Sequence, residues 1–289
     1  MTRHHKGCPL CGSPQIKKKY SDDRFPIWQC SCGAVFLCPF PSQDELDVIY
    51  GKTYYENGGA EEGKEDQWRQ MKHLTFKARM KEIHPFVRKG KVLDVGCATG
   101  SFLEVADAEG WEVYGLERSP YASRVARRKF GDRIYEGILE DAHYADETFD
   151  FITLSDLLEH IRDLQSFMRE VFRILKSSGF LMIETPNVAS LSCRLMGGRW
   201  VHYKAEHLYY FSPDTLRELL VRHDFTPLRI GVSSKYVNPA YIIDRFRRYH
   251  HPVFSPLMTG ISRYLPQGIK QITFPMLCGK MTALAKKNS

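Results

Sequence analysis

From about residue 90 onward, apolar residues fall into short β-branched runs alternating with stretches of helical spacing. Val92, Leu93 and Val95 form the first run, bounded by Gly90-Lys91 before and by glycines after, as a buried parallel strand is. Phe102, Leu103, Val105 and Ala106 then open a helix. The alternation continues with strand 111–116, a helix over 121–130 behind the Ser119-Pro120 cap, a short strand near 133–135 and strand 148–154. A helix over 164–175 carries Phe167, Met168, Val171, Phe172 and Leu175 on one face, and strand 180–187 is stopped by Pro186. A helix from 213, strand 227–232 and a last strand over 281–286 complete the series. Strands and helices in this order predict an α/β fold with helices on both faces of a mainly parallel sheet.

Three stretches stand outside that alternation. Residues 1–41 hold Cys8-Pro9-Leu10-Cys11-Gly12 and Cys30-Ser31-Cys32-Gly33, two tight turns that can converge four thiolates on one ion. Cys8, Cys11, Cys30 and Cys32 are therefore the expected ligands of a structural zinc ribbon. The second pair is irregular, Cys38 lies near, and a histidine such as His4 or His5 can replace one sulfur, so a mixed ligand set and a metal-free remnant stay open. Residues 42–89 read as a helical lead-in: Ser42 caps one short helix, residues 54–66 form a loop, and a helix over 67–87 packs on the sheet or over a ligand, which Tyr54 or Tyr55 can cover. Residues 235–278 form an insertion in the final unit, spanning 90–289, and mix Tyr241, Ile242, Phe246, Leu257, Ile261 and Tyr264 with arginines.

Candidate chemistry begins at the turn Asp94-Val95-Gly96-Cys97-Ala98-Thr99-Gly100. Gly96 and Gly100 allow backbone angles closed to other residues, and the following helix presents free N–H groups and a partial positive charge. Glu117, roughly 20 residues on at the end of the next strand, is placed to accept ribose hydroxyls. These residues resemble the first and second motifs of the class I S-adenosylmethionine (SAM)-dependent methyltransferases, with Ala98 replacing the middle glycine of the family's loop. The resemblance covers about residues 90–234. It implies a Rossmann-like seven-stranded sheet and SAM held by Asp94, Gly96, Cys97, Gly100, Phe102, Glu117 and Arg118, with adenine near Leu139 and Glu140. Ser155, Asp156 and His160, in Ser-Asp-Leu-Leu-Glu-His at the end of strand 148–154, would line the methyl side. The segment Trp200…Glu206-His207-Leu208-Tyr209-Tyr210-Phe211-Ser212 resembles one found in methyltransferases of ubiquinone, sugar and polysaccharide biosynthesis. Glu206 and His207 are then the first candidates for a catalytic base and its orienting group, with His160 second; a buried structural histidine is the plain alternative.

Composition narrows the class. Hydrophobic content of 43% and charged content of 26% are those of an ordinary globular protein. With neither a long apolar run nor an apolar N-terminal segment, a cytoplasmic protein is expected, whose cysteines serve as thiols or metal ligands. The net charge of +7 is uneven: residues 235–289 hold nine Lys or Arg and one acid, leaving the rest near neutral. A basic, apolar block attracts phosphate, on a substrate or on a membrane surface that it touches peripherally. The expected acceptor is a phosphate-bearing small molecule, a sugar or a lipid-linked or nucleotide-linked precursor methylated at a hydroxyl or a carbon. A nucleic-acid partner is disfavoured, since no Asn/Asp-Pro-Pro-Tyr/Phe motif follows strand 148–154. A fold kept as a scaffold without turnover is the remaining alternative.

Overall fold

A computed structural model describes residues 7–20, 25–49, 65–249 and 254–288. His4, His5, Tyr54 and Tyr55 lie outside them. The central sheet has seven strands in the order β10-β11-β8-β7-β4-β5-β6, where β4 is Lys91–Val95, β5 Glu112–Glu117, β6 Ile134–Glu136, β7 Phe149–Ser155, β8 Leu175–Pro186, β10 Phe225–Val237 and β11 Phe274–Lys287. β4 to β8 run parallel; β11 lies antiparallel between β8 and β10. The strand order turns back beside β4, and the carboxyl ends of β4 and β7 open together at that switch point, where doubly wound sheets bind ligands.

The crossovers are α3 (Ser101–Ala108), α4 (Pro120–Phe130), α5 (Leu164–Ile174) and α7 (Pro213–Arg222), with the short α6 (Leu191–Met196) between the last two. α4, α5 and α7 start where the sequence supplies a side-chain cap for the free N–H groups, while α3 starts at Gly100 without one. Ser119 accepts from Ala122 N at 3.4 Å ahead of Pro120, and Ser212 and Thr215 cap one another's backbone. The apolar face of α5, with Phe167, Met168 and Val171 at 2% exposure or less, closes one side of the sheet.

Two elements precede the sheet, α1 (Gln43–Ile49) and α2 (Glu65–Ile83). The cap at Ser42 is a reciprocal box with Glu45. α2 packs on α3 and β10, burying Met71, Met80 and Ile83 and the guanidinium of Arg79.

The cysteine module is a second, four-stranded sheet, β1 (Ile16–Tyr20), β2 (Ile27–Cys30), β3 (Val35–Leu37) and β9 (Tyr209–Tyr210). Its fourth strand comes from the 191–211 excursion, so the sheet is completed by a strand from outside residues 1–41. The last two strands of the central sheet also exceed their sequence limits. β10 runs to Val237 and β11 starts at Phe274, so both ends of the 235–278 insertion are strand. Only the middle is helical: α8 (Pro239–Tyr249), α9 (Phe254–Tyr264) and α10 (Gln267–Lys270). Among the described residues no helix is long and apolar enough to cross a membrane.

Candidate functional site

The turn after β4 is held open by its backbone. Gly96, Ala98 and Gly100 have φ of 78°, 47° and 83°, so the alanine that replaces a glycine sits in a conformation costing it roughly 1 kcal/mol. Gly96 N and Cys97 N donate to Leu116 O at 2.8 and 3.0 Å. Glu117 fixes the rest: its carboxylate accepts from Ala98 N at 2.9 Å and from Ser119 N at 2.8 Å. Asp94 points at the same turn from inside, with Oδ1 buried and unpartnered. Burial, then the charge of Glu117, raises Asp94 well above the usual carboxylate range, and burial raises Glu117 too. Two buried acids beside a glycine turn whose main chain lies open to close approach fit a ligand that brings hydroxyls and a positive charge, as an adenosyl sulfonium does.

The other residues expected here divide by exposure. Cys97 and Phe102 are 4% and 1% exposed and belong to the core, Phe102 edge-on to Phe76 at 5.6 Å; what they offer a ligand is main chain. Arg118 and Glu140 are exposed. Leu139 is buried in the turn Leu139–Asp141.

At the end of β7 the chain bends through Asp156, φ 54°. Its carboxylate accepts from Lys280 Nζ, 2.6 Å to Oδ1. The desolvation of this acid opposes its charge, and the Lys280 ammonium outweighs that, holding it at about 2. Lys280 also lies 3.5 Å from Glu184, which accepts from Arg79 Nε at 2.8 Å and from Ser233 Oγ at 3.0 Å. Glu159 is buried beside them, accepting from Thr185 Oγ1 at 2.9 Å. Burial, then the charge of Asp156, pushes it up to about 8. Sequence reasoning missed Arg79, Glu184 and Lys280. The available signal was positional, since Lys280 stands next to the apolar run of β11 and Arg79 directly before Met80 on the buried face of α2.

The imidazoles meet one layer further out. His160 Nδ1 lies 2.9 Å from the Glu206 carbonyl oxygen; a carbonyl only accepts, so Nδ1 carries the proton and Nε2 is the basic nitrogen. His207 meets His160 edge-to-face at 4.8 Å, and its Nδ1 is buried without a partner. Burial lowers both, His207 well below its ordinary value. The Glu206 carboxylate lies 3.6 Å from Lys204 Nζ, so the part of Glu206 that orients an imidazole is its backbone, and the imidazole is His160. Glu159, His160 and His207 each offer one ligand atom within 4.8 Å of the others, a mixed oxygen and nitrogen set of the kind divalent ions accept.

Far from the turn, Cys8, Cys11, Cys30 and Cys32 bring their sulfurs within 4.8 Å of one another. Cys8 Sγ to Cys32 Sγ is 3.8 Å and Cys11 Sγ to Cys30 Sγ 3.6 Å. A tetrahedron with Zn–S of about 2.3 Å has edges of about 3.8 Å, so the four fit zinc. Cys38 is buried and Trp28 Nε1 donates to its carbonyl at 3.1 Å.

A family model described as "Methyltransferase domain" matches residues 67–230. The ubiquinone biosynthesis O-methyltransferase of Vibrio campbellii is 28% identical over 163 residues, 52% of this chain and 68% of that protein. The demethylmenaquinone methyltransferase of a Geobacillus species is 30% identical over 144 residues, 46% of this chain and 58% of that one. Among solved structures, a SAM-dependent methyltransferase from Archaeoglobus fulgidus superposes with a TM-score of 0.51 at 21% identity, covering 74% of this chain and 94% of that one.

Proposed function

The chain belongs to the methyltransferase-domain family and is a SAM-dependent methyltransferase, and from that premise we propose that it methylates a hydroxyl, or a carbon, of a phosphate-bearing small molecule, a sugar or a lipid-linked or nucleotide-linked precursor. The observation that carries the donor side is the Asp94–Glu117 pair around the glycine turn. SAM supplies an activated methyl group, so the protein's work is alignment, exclusion of water and removal of one proton when the acceptor is a hydroxyl. Asp94, Glu117 and the main chain of the 96–100 turn hold the donor; Ser155 and Asp156 flank the methyl side. His160, fixed by the Glu206 carbonyl and kept neutral by burial, is the better placed base, with His207 packed against it. That ordering differs from the sequence ranking, which put Glu206 and His207 first. Zinc in the cysteine module is structural on this reading, with four sulfurs and no open position.

Mass spectrometry of lipid-linked and nucleotide-linked glycans from cells with and without the gene identifies the acceptor by a difference of one methyl group. With it, His160→Gln is expected to lower kcat by about 10² to 10⁴-fold while SAM binds as before. Wild-type turnover in His160→Gln with loss in His207→Gln returns the base to His207. Repeating the assay with and without a divalent cation decides whether Glu159, His160 and His207 act as bare side chains or around an ion.

Peripheral membrane contact is also proposed for the insertion, whose Leu257, Ile261, Tyr264 and Ile272 are exposed among Arg247, Arg263 and Lys270. Flotation with phosphatidylglycerol vesicles, and not with phosphatidylcholine vesicles, is the expected result; no flotation with either removes it.

A further inference from the structure

One face of α2 runs along the extended end of β10 and the start of α8. Trp68 packs edge-on against Tyr241 at 4.9 Å, and Thr75 Oγ1 accepts from Tyr236 N at 3.0 Å. Lys72 lies one turn after Trp68 and less than a turn before Thr75, so it faces the same strip. Opposite stands Lys235, the residue before Tyr236, with its ammonium 3.5 Å from the Tyr241 hydroxyl and 5.5 Å from that ring's centroid. Arg245 stacks its guanidinium on the rings of Tyr241 and Trp68, at 5.1 and 5.5 Å.

Resting on the acceptor reading above, we propose that Lys72 and Lys235, with the Tyr241 hydroxyl and with Arg245 stacked behind, form the subsite that binds the acceptor's phosphate. Like charges gathered on partly buried side chains repel one another unless an anion joins them. The local field shows that condition. Burial lowers the Lys72 ammonium, and the Lys235 charge lowers it further. Burial opposes ionisation of Tyr241, yet the Lys235 and Arg245 charges outweigh it and bring that phenol below its ordinary value. The acids toward the reaction centre, Asp156 and Glu184, are taken by Lys280 and Arg79. Among the described residues neither Lys72 nor Lys235 has a carboxylate within ion-pair distance, and Asp244 is the one acid in α8.

The position suits a group carried some way from the reacting atom. Lys235 pairs with Met276 on β11, two residues before Cys278, whose carbonyl meets His202 Nε2 of the 191–211 excursion at 3.1 Å. On the donor side, the Lys129 charge also reaches Lys72, and Lys129 Nζ donates to Thr99 O in the glycine turn at 3.0 Å. A phosphate here would lie between the donor turn and the imidazole layer, on the outer rim of both.

Calorimetric titration of the full chain, saturated with S-adenosylhomocysteine, with inorganic pyrophosphate tests the subsite. Wild type is expected to bind, and Lys72→Gln and Lys235→Gln to weaken binding about tenfold each, with Lys235→Arg near wild type and thermal melting unchanged. A nucleoside diphosphate binding tighter than pyrophosphate assigns the phosphate to a nucleotide; a short polyprenyl phosphate binding tighter assigns it to a lipid. Equal pyrophosphate affinity in wild type and both glutamine variants overturns the subsite. So does a loss of S-adenosylhomocysteine affinity in place of pyrophosphate affinity, because the lysines would then serve the donor's carboxylate. Wild type that binds pyrophosphate but not S-adenosylhomocysteine instead sinks the methyltransferase reading and leaves the anion site standing.

Discussion

Glu117→Ala is expected to weaken S-adenosylhomocysteine binding by about 10²-fold or more, measured by calorimetry on the full chain. The expected size comes from what the carboxylate does without ligand. It accepts from Ala98 N at 2.9 Å and Ser119 N at 2.8 Å, so it ties the turn after β4 to the end of β5. Hydrogen bonds to a charged acceptor contribute about 1.5 to 3 kcal/mol each, and a buried donor left unpaired costs a comparable amount. Ala98 carries a φ of 47° that the Glu117 contact helps to hold, so the variant loses the turn's shape as well as the ribose acceptor. A carboxylate has about four lone-pair positions; two are used by the backbone, and the remainder are available to ribose hydroxyls. Glu117→Gln separates the two roles. It keeps one carbonyl oxygen for a backbone donor and turns the other position into a donor of its own, so an intermediate loss is expected. Wild-type affinity in Glu117→Ala would remove the donor site from this turn.

What the sequence carried about this site is what lies close together along the chain. The turn 94–100, Glu117 on the next strand and the two cysteine pairs are recognisable because each packs its chemistry into a few residues or a fixed offset, and the structure brings Asp94, Glu117 and the turn amides together. The Asp156–Lys280 pair joins residues 124 positions apart and Arg79–Glu184 residues 105 apart. Neither has a local signature, because an ion pair across strands depends on strand order, which the alternation of runs does not specify. Along the chain Lys280 is one more charge in a basic tail, whereas β11 sets it among buried neighbours. β9 was hidden for another reason. A strand of two residues has no period, and the aromatics of 200–211 are as consistent with a pocket wall as with a sheet edge. The lengths of β10 and β11 escaped because their outer ends, 234–237 and 274–277, are paired only to each other, with Leu277 exposed at 66%; half-solvated strands do not show the continuous apolar run of a buried one.

If the cysteine module holds zinc as proposed, its loss should lower turnover about 10²-fold or more while leaving the donor site intact, and the route runs through three hydrogen-bonded links. β3 pairs with β9, Val35 opposite Tyr210 and Phe36 opposite Tyr209. Leu37 N donates to Leu208 O at 3.0 Å, and Leu208 N donates to Glu159 O at 2.8 Å. Side chains reinforce them: Tyr20 meets Tyr203 at 5.4 Å, Phe40 meets Tyr209 at 5.4 Å, and Arg162 donates to the Pro41 carbonyl. The segment that carries Glu206 and His207 thus runs directly into a strand of the cysteine sheet, and the Glu206 carbonyl in turn accepts from His160 Nδ1. A module this small has too little apolar surface to stay folded without its ion, so metal binding energy is folding energy. Burial pushes the Cys8 thiol up, a cost to the free thiolate that a bound cation removes. Elemental analysis is expected to find one zinc per chain, and Cys8→Ser or chelated protein none. Such protein should bind S-adenosylhomocysteine within about twofold of wild type, since Asp94 and Glu117 belong to the other sheet, while turnover falls by about 10²-fold or more as the base loses its geometry. Limited proteolysis should open new cuts within 7–40 and 197–211 together, not in the module alone. Cleavage confined to the module with turnover preserved would show that β9 holds its place without the ribbon, and would reduce the cysteines to a separate appendage.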